Sequence, residues 1–257
     1  MRKSGENNMK YYSFNTRDYL ILEHIPLDRN LTLLEIGVGL GSIAERVSGK
    51  IKTYYGVDIA CEVIDYLSSL YKNNNSVKWQ CLDVCQESAS LNEKFDVVFS
   101  AHTLEHVISP NGYFNFIARH LKNKGTVFVI FPNESKEKHH GITWFDNKKE
   151  LLEIIDKSGL KVNELLEVEE TIWHRFIRWS LWELPKSIIL TEKTTPQTFE
   201  QTRAFKIVRA GDIKTNILSF YAKAITKLAT VFPLYKYFNN EGDIKNKQLF
   251  VVLRHKK

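Results

Sequence analysis

The feature that most constrains this chain is a glycine-rich loop that follows a short apolar segment. Leu31–Ile36 has the sequence LTLLEI, and Gly37, Gly39 and Gly41 come directly after it at alternate positions. A short apolar run that ends at glycines is typical of a buried parallel strand. When such a strand passes through Gly-x-Gly-x-Gly into a helix, here Ser42–Val47, the backbone can turn tightly and approach a ligand closely. The pattern therefore predicts a nucleotide-like ligand at this turn.

The rest of the chain up to residue 169 alternates strand-like and helix-like segments. Further strands are predicted at 51–58, 76–82, 95–100, 125–131 (stopped by Pro132), 160–169 and 248–254, and helices at 60–71, 111–121 and 147–157, the last before Gly159. Such alternation indicates an α/β protein with a doubly wound, mostly parallel sheet. The seventh strand lies at the very end of the sequence, after a long segment of helical pattern.

Three carboxylates stand at or next to the ends of three successive predicted strands. Glu35 directly precedes the glycine loop, where it would repel a pyrophosphate but suits a cationic ligand. Asp58 follows Gly37 by 21 residues and can accept hydrogen bonds from both hydroxyls of a ribose. Asp83 comes after the third strand, where it can meet an adenine amino group. Ser42 occupies the position where a dinucleotide pattern has its third glycine or alanine, which disfavours a dehydrogenase.

With these residues, the chain resembles the class I S-adenosylmethionine-dependent methyltransferases, in the branch of the ubiquinone and menaquinone methyltransferases. The fourth strand and the turn after it, FDVVFSAHTLEHV at Phe95–Val107, also match this branch. The resemblance implies a seven-stranded sheet whose last strand is antiparallel and is preceded by a helical insertion. It also implies S-adenosylmethionine as the cofactor. The residues expected to bind it are Glu35, Gly37, Gly39, Gly41, Asp58, Ile59, Asp83, Val84 and Ser100.

A cluster of histidines is expected at the same edge of the sheet. His102, Glu105 and His106 have the spacing of one helical face, and His140 follows the fifth strand with His139 and, further on, Trp144. Some members of the family hold a metal with a Glu-x-x-Glu-His turn and a later histidine, and this chain has histidine in the first position. Three interpretations stay open. One is a metal site with ligands His102, Glu105, His106 and His140. Another is a metal-free site in which His102, His106 or His140 is a catalytic base or positions the acceptor. A third, structural interpretation is that Glu105 and His106 only cap and pack the turn.

The charge of the chain is distributed unevenly. Residues 1–170 carry 20 Lys and Arg against 24 Asp and Glu, whereas residues 171–257 carry 16 against 6. Such asymmetry indicates an anionic partner for the basic part, or a lysine-rich solvated surface. We predict an N-terminal helical cap at 1–29, an S-adenosylmethionine-binding α/β domain at 30–169 and 248–257, and a basic helical insertion at 170–247 that forms an acceptor lid.

Two helical patterns are recognisable in this insertion. Aromatic residues recur at every third position from Trp173 to Trp182, which is typical of a core-facing stripe. Arg175 and Arg178 lie beside that stripe and are expected to bind a phosphate or carboxylate of the acceptor. Ile213–Phe232 is amphipathic. It could dock on the sheet or lie on an anionic membrane surface.

These observations predict an enzyme that transfers a methyl group to an oxygen or nitrogen of a small, anionic acceptor, phosphorylated or sugar-like. The alternatives are an RNA or other nucleic-acid methyltransferase and a non-catalytic nucleotide-binding partner subunit. No apolar run approaches eighteen residues, and the basic N-terminus lacks the apolar segment of a secretory signal. The three cysteines, Cys61, Cys81 and Cys85, form no C-x-x-C pair. We expect them to be reduced thiols of a cytoplasmic protein.

Overall fold

The structure is a computed structural model, and it describes residues 20, 22–134, 141–184, 213–240 and 242–256. The strands are β1 Thr32–Ile36, β2 Thr53–Asp58, β3 Val77–Cys81, β4 Phe95–Ala101, β5 Leu121–Asn133, β6 Leu160–Glu170, β7 Tyr235–Asn239 and β8 Lys247–His255. The helices are α1 Ser42–Val47, α2 Cys61–Leu70, α3 Pro110–His120, α4 Lys148–Lys157, α5 Ile172–Ile177 and α6 Ile213–Ala229. A 3₁₀ turn covers Leu104–His106, and a π-helical turn, Arg178–Glu183, continues α5.

The strands form one sheet in the order β3-β2-β1-β4-β5-β8-β6-β7. The pairings from β3 to β5 are parallel, whereas β8 is antiparallel to both β5 and β6. Because the parallel strands run the same way, the loops after β1, β2, β3 and β4 all leave from one edge of the sheet. That edge is where ligands bind in open α/β sheets. The predicted α/β class with an antiparallel last strand is confirmed.

Two details of the predicted sheet are wrong. The sheet has eight strands and not seven, because Tyr235–Asn239 within the predicted helical insertion forms β7 at the edge beside β6. The fifth strand does not stop before Pro132 but runs on to Asn133. Beyond Ile130, β5 no longer pairs with β4 and keeps only β8 as a partner. A residue that has no backbone N–H is tolerated at such a position.

The core explains why the parallel strands contain few polar residues. Every residue of β1 is buried, as are the central residues of β4 and β5. Consecutive buried residues point to opposite faces of the sheet, so both faces are covered, as expected for parallel strands with helices on both sides. The capping residues of α3 and α4 are Ser109, which accepts a hydrogen bond from the N–H of Gly112, and Asn147, which accepts one from Glu150. These caps fix where each helix begins.

The chain divides into two compact units. One comprises residues 17–169 and 237–257, which hold the glycine loop and most of the sheet, and the other comprises 1–16 and 170–236. The predicted insertion at 170–247 thus extends beyond the second unit, since residues 237–247 belong to the first. Most of the predicted N-terminal cap at 1–29 lies outside the described residues. The role of the insertion as an acceptor lid stays a prediction.

Within the described residues, we find no helix that has both the length and the apolar character needed to cross a membrane.

Candidate functional site

The glycine loop has the backbone conformation that the sequence predicts. Gly37, Gly39 and Gly41 all have positive φ angles, of 79°, 48° and 73°. Gly39 is the position of most interest, because a Cβ built there would meet no heavy atom within 4 Å. The loop therefore leaves open space against its backbone at Gly39, where a ligand can approach.

Gly37 is needed for a different reason. A Cβ at Gly37 would lie 2.0 Å from Oγ1 of Thr103, and the Thr103 hydroxyl donates a hydrogen bond to the carbonyl oxygen of Ile36. The turn after β4 is thus packed directly on the turn after β1. This contact joins the predicted cofactor loop to the predicted catalytic turn at 102–106.

Asp58 lies in front of the glycine loop. Its Oδ2 accepts a hydrogen bond from the N–H of Gly39 at 3.3 Å, and its Oδ1 accepts one from Ala60 at 3.0 Å. The next residue, Ile59, is largely exposed. The carboxylate of Asp58 can accept hydrogen bonds from the two hydroxyls of a sugar. The exposed side chain of Ile59 can cover one face of a flat ring. The structure therefore brings Gly39, Asp58 and Ile59 together.

The remaining predicted cofactor residues differ in accessibility. Asp83 is half-buried, and its carboxylate accepts hydrogen bonds from the N–H of Cys85 at 2.9 Å and from the amide of Gln86. Val84 is buried in the core. Ser100 is buried too, and its hydroxyl donates to the carbonyl oxygen of Ile36 at 2.9 Å. The side chain of Ser100 therefore holds β4 against β1 and is not open to a ligand.

Glu35 is buried beneath the loop. Its carboxylate accepts a hydrogen bond from the hydroxyl of Tyr54, which is itself buried on β2. The sequence predicts a carboxylate at the sheet edge, and the structure shows that this one has a buried phenol as partner. Glu35 would therefore act on a ligand through the electrostatic attraction of a buried negative charge, which is screened little by water.

A disulfide bond lies at the same edge. Cys61, at the start of α2, is bonded to Cys81, at the end of β3, with a Cα–Cα distance of 5.0 Å. The prediction of three reduced thiols is therefore wrong for these two, and only Cys85 is free. The reason is the parallel register of β2 and β3, which places Cys81 opposite Asp58 and thereby next to the following turn. Such a Cα separation is within the range that a disulfide spans.

His102 occupies a strained position at the end of β4. It has a φ of 54°, which is unusual for a residue with a side chain, and its N–H donates to the carbonyl oxygen of Ile130 at 2.7 Å. Residues held in this region cost of order 1–3 kcal/mol and cluster at active sites. In this conformation, the imidazole of His102 lies near Glu105 and Gln248.

The imidazole of His102 lies between two polar side chains. Its Nδ1 is 3.5 Å from Oε1 of Glu105, and its Nε2 is 3.4 Å from the amide nitrogen of Gln248. An amide N–H that donates to Nε2 requires the hydrogen of a neutral imidazole to be on Nδ1, facing the carboxylate. This arrangement leaves Nε2 as the basic nitrogen.

Glu105 is a buried carboxylate. Its Oε2 is without a hydrogen-bond partner among the described residues, although the residue is only 4% exposed. The backbone carbonyl of Glu105 accepts hydrogen bonds from Ile142 at 2.7 Å and Thr143 at 3.0 Å, which tie the segment after β5 to this turn. Burial raises the pKa of the nearby Tyr113, and the charge of Glu105 raises it further. Tyr113 therefore stays a neutral phenol.

The predicted metal ligands do not form a metal site among the described residues. The exposed His106 has its Nε2 3.9 Å from Oε1 of Glu105, and nowhere in the described ranges do three or more His, Cys, Asp or Glu side chains come together as ligands. The fourth predicted ligand, His140, and its neighbour His139 lie outside the described residues.

The two predicted acceptor arginines belong to the second unit. Arg178 forms an ion pair with Glu170, with its Nη1 2.8 Å from Oε1, whereas Arg175 is exposed on α5. The same glutamate lies 3.6 Å from Nδ1 of the buried His174. Burial, and then the charge of Arg178, lower the pKa of His174 to about 4. His174 is therefore neutral at pH 7.

Sequence reasoning missed Tyr54, Thr103 and Gln248. The antiparallel register of β8 could have indicated Gln248, because the beginning of an antiparallel strand lies at the edge where its parallel neighbours end. In the structure, Gln248 pairs with Pro132 near the end of β5. No sequence signal identifies Tyr54 as the partner of Glu35, because that contact depends on how β1 and β2 are aligned in the sheet.

Comparison with known proteins agrees with this geometry. Residues 34–129, which run from β1 through the glycine loop to β5, match the methyltransferase domain family. This region is therefore similar to a methyltransferase domain. The family region includes Gly39, Asp58, His102 and Glu105. The predicted resemblance to the S-adenosylmethionine-dependent methyltransferases is confirmed.

Two curated relatives contain a similar methyltransferase domain. The ubiquinone biosynthesis O-methyltransferase of Bartonella tribocorum is 33% identical over 112 residues, which are 43% of this chain and 44% of that protein. The malonyl-[acyl-carrier protein] O-methyltransferase of Acetivibrio thermocellus is 29% identical over 42% of this chain and 38% of that protein. The chain thus spans less than half the length of either relative.

Solved structures share the fold of the methyltransferase domain over most of the chain. Phosphoethanolamine N-methyltransferase 2 of Haemonchus contortus has a TM-score of 0.57 at 19% identity and covers 94% of this chain and 53% of its own. The [4+2]-cyclase SpnF has a TM-score of 0.56 at 18% identity and covers 97% of this chain and 84% of its own. Because a cyclase is among them, this likeness concerns the fold alone.

Proposed function

We propose that this chain transfers a methyl group from S-adenosylmethionine to an oxygen of a small acceptor. The observation that carries the proposal is the open backbone at Gly39, with the carboxylate of Asp58 hydrogen-bonded to its N–H, inside a methyltransferase domain. Oxygen is preferred to nitrogen because both curated relatives described above are O-methyltransferases.

The residues at this edge fit S-adenosylmethionine. Gly39 leaves room for the ligand against the loop, and Asp58 offers a carboxylate to the ribose hydroxyls. Ile59 is exposed beside Asp58, where an adenine ring needs an apolar contact. The buried charge of Glu35 favours a cationic ligand over a pyrophosphate. Asp83, on the next strand end, is the candidate partner for the adenine amino group.

S-adenosylmethionine, when bound, supplies an electrophilic methyl group on a positively charged sulfur. Transfer of this methyl group to a hydroxyl would leave a neutral thioether on the donor, and the acceptor oxygen would have to lose its proton. In our proposal Nε2 of His102 takes that proton, while Glu105 holds Nδ1–H and favours the resulting imidazolium. Since the methyl transfer itself needs little covalent help, positioning of the acceptor supplies the rest.

For the acceptor, we propose an anionic small molecule that is recognised by the basic segment. Arg175 is exposed and supports this role, whereas Arg178 already has Glu170 as an ion-pair partner. Each lost charge-assisted contact should cost about 1.5–3 kcal/mol, which is roughly a tenfold to hundredfold loss of acceptor affinity. Once an acceptor is found, Arg175→Glu should raise its KM and leave donor affinity unchanged. Unaltered acceptor kinetics would end this part of the proposal.

The direct test uses two glycines that differ only in their location. Gly39 and Gly159 both have positive φ, and a Cβ at either would meet no heavy atom within 4 Å, but Gly159 lies after α4. Neither Gly39→Ala nor Gly159→Ala should introduce a clash, and each should cost about 1–2 kcal/mol of stability because of its left-handed backbone. Only Gly39→Ala should also weaken binding of S-adenosylhomocysteine, because its methyl group occupies the space against the loop.

Calorimetric titration of S-adenosylhomocysteine into the two variants and the wild type decides between the outcomes. We expect about a tenfold or greater loss of affinity for Gly39→Ala and an unchanged affinity for Gly159→Ala. Equal affinities in all three proteins would contradict the placement of the cofactor.

The histidine roles are tested separately. We expect His102→Ala to lose turnover while it binds the donor normally, and the same measurement on His106→Ala and His140→Ala shows whether either of them contributes. Metal analysis of protein purified without chelator tests the metal hypothesis, since stoichiometric metal would support ligation by His102, Glu105, His106 and His140. Full activity in all three alanine variants would refute both a base and a ligand role.

A further inference from the structure

The second unit presents an unusual amount of exposed apolar surface on two adjacent helical segments. Ile172, Phe176 and Trp179, on α5 and its π-helical extension, are 75%, 58% and 64% exposed. Ile172, Arg175, Phe176 and Trp179 have the spacing i, i+3, i+4 and i+7. This spacing places all four on one side of the helical segment. Monomeric soluble proteins rarely expose apolar side chains in such contiguous groups without a binding role.

Helix α6 and the turn after it repeat this pattern. Exposed positions from Phe220 onwards include Phe220, Lys223, Ala224, Lys227, Leu228, Thr230, Val231, Phe232 and Pro233. Phe220 is 76% exposed, whereas Ala222, Ile225, Thr226 and Ala229 on the opposite side are buried. From Phe220 onwards, the helix therefore packs through Ala222, Ile225, Thr226 and Ala229 and exposes Phe220, Leu228 and its lysines.

The two exposed stripes lie side by side. At one end, the indole N–H of Trp173 donates to the carbonyl oxygen of Ala229 at 3.0 Å, and its ring contacts those of Phe176 and Phe232. At the other end, the hydroxyl of Tyr221 donates to the carbonyl oxygen of Leu181 at 2.7 Å. The segments are therefore joined at both ends, and the exposed Phe176 and Phe232 both contact Trp173. We call the exposed side chains of the two joined segments the basic–apolar face.

The charges of this face have one sign. Arg175, Lys223 and Lys227 lie among its apolar side chains, and the sequence contains no Asp or Glu between Thr171 and Trp182 or between Ile213 and Lys236. A second copy of this chain docked here by two-fold symmetry would bring basic residues against basic residues. A nucleic acid would be attracted by the basic residues but would leave the phenylalanines and tryptophan in water.

We propose that the basic–apolar face binds the surface of an anionic lipid bilayer. Large apolar side chains enter the boundary between headgroups and acyl chains, while the adjacent lysines stay among the lipid phosphates. The exposed side chains of the two joined segments supply both kinds of group. The proposal does not rest on methyl transfer, because lipid binding is measured without donor or acceptor.

The experiment is co-sedimentation of the full chain with vesicles. One set is phosphatidylcholine alone, and the other is an equal mixture of phosphatidylcholine and phosphatidylglycerol. We expect binding to the mixed vesicles that weakens as salt is added, and little binding to pure phosphatidylcholine. Lys227→Glu and Trp179→Ser should each lower the partition coefficient by roughly tenfold. Both side chains are exposed, so neither change should alter the circular dichroism spectrum.

Matched controls come from the first unit. Lys50→Glu reverses an exposed lysine, and Leu27→Ser removes an exposed apolar side chain, so both should bind as the wild type does. Failure of the wild type to bind mixed vesicles overturns the proposal. So does equal binding by Trp179→Ser, Lys227→Glu and the wild type. Without vesicle binding, self-association or RNA binding that Trp179→Ser abolishes would assign the face to another partner and equally overturn it.

Discussion

The carboxylate of Glu105 lies 3.5 Å from Nδ1 of His102, and the other nitrogen of that imidazole faces Gln248. A buried acid therefore fixes the orientation of a strained histidine directly after β4. Thr103, between them in sequence, packs on Gly37 of the glycine loop. The cofactor loop and the candidate base are thus packed against each other. Because Glu105 orients His102, a substitution of Glu105 should change the tautomer of His102 even when no acceptor is present.

We expect Glu105→Ala to release the His102 ring. In the wild type, nitrogen NMR of histidine-labelled protein should show His102 with its hydrogen on Nδ1, because that nitrogen faces the carboxylate. In Glu105→Ala the ring should instead sample both tautomers. Once an acceptor is known, turnover should fall by about 10²-fold while donor affinity is unchanged. Glu62→Ala, an exposed glutamate on α2, is the control, and a wild-type tautomer in Glu105→Ala would refute the positioning role.

The disulfide makes a second prediction. Cys61 and Cys81 are separated by 20 residues, so the bond restricts the unfolded chain, and Cys61→Ser should lower the free energy of unfolding by about 3 kcal/mol. Urea denaturation with and without reductant measures this. Cys85→Ser keeps the bond and should retain the full sensitivity to reductant. If the unreduced, denatured wild type shows three free thiols, the bond does not form.

Much of the sheet could be predicted from the sequence, because buried parallel strands are short apolar runs that end at turn residues. The strand bounds around the glycine loop follow this rule, as do the positions of Asp58 and His102. The disulfide, the Glu35–Tyr54 contact and the contact of Gln248 with His102 could not be predicted in this way. These contacts depend on which residues of neighbouring strands lie side by side. The hydrophobic pattern of a single strand does not contain that information.

A third prediction concerns acid stability. His174 is fully buried, and burial followed by the charge of Arg178 lowers its pKa to about 4. In the unfolded chain this histidine takes up a proton near pH 6.5, whereas the folded protein resists protonation until about pH 4. Between these values, the free energy of unfolding should fall as the pH falls, by up to about 3 kcal/mol.

Denaturant titrations of the wild type and His174→Gln across that pH range test this. As the pH falls, the unfolding free energy of the wild type should decrease more than that of His174→Gln. His106→Gln removes an exposed histidine and should run parallel to the wild type. A pH-independent difference for His174→Gln would show that His174 has an ordinary pKa in the folded protein.

The measurement that tests the central claim most directly is calorimetric titration of S-adenosylhomocysteine into the wild type and Asp58→Ala. Loss of the carboxylate beside Gly39 should weaken binding by about 1–3 kcal/mol. Asp65→Ala, which removes an exposed aspartate of α2, should bind as the wild type does. We also expect the wild type to bind this ligand more tightly than NAD. Unchanged affinity in Asp58→Ala, or tighter binding of NAD, would contradict the account.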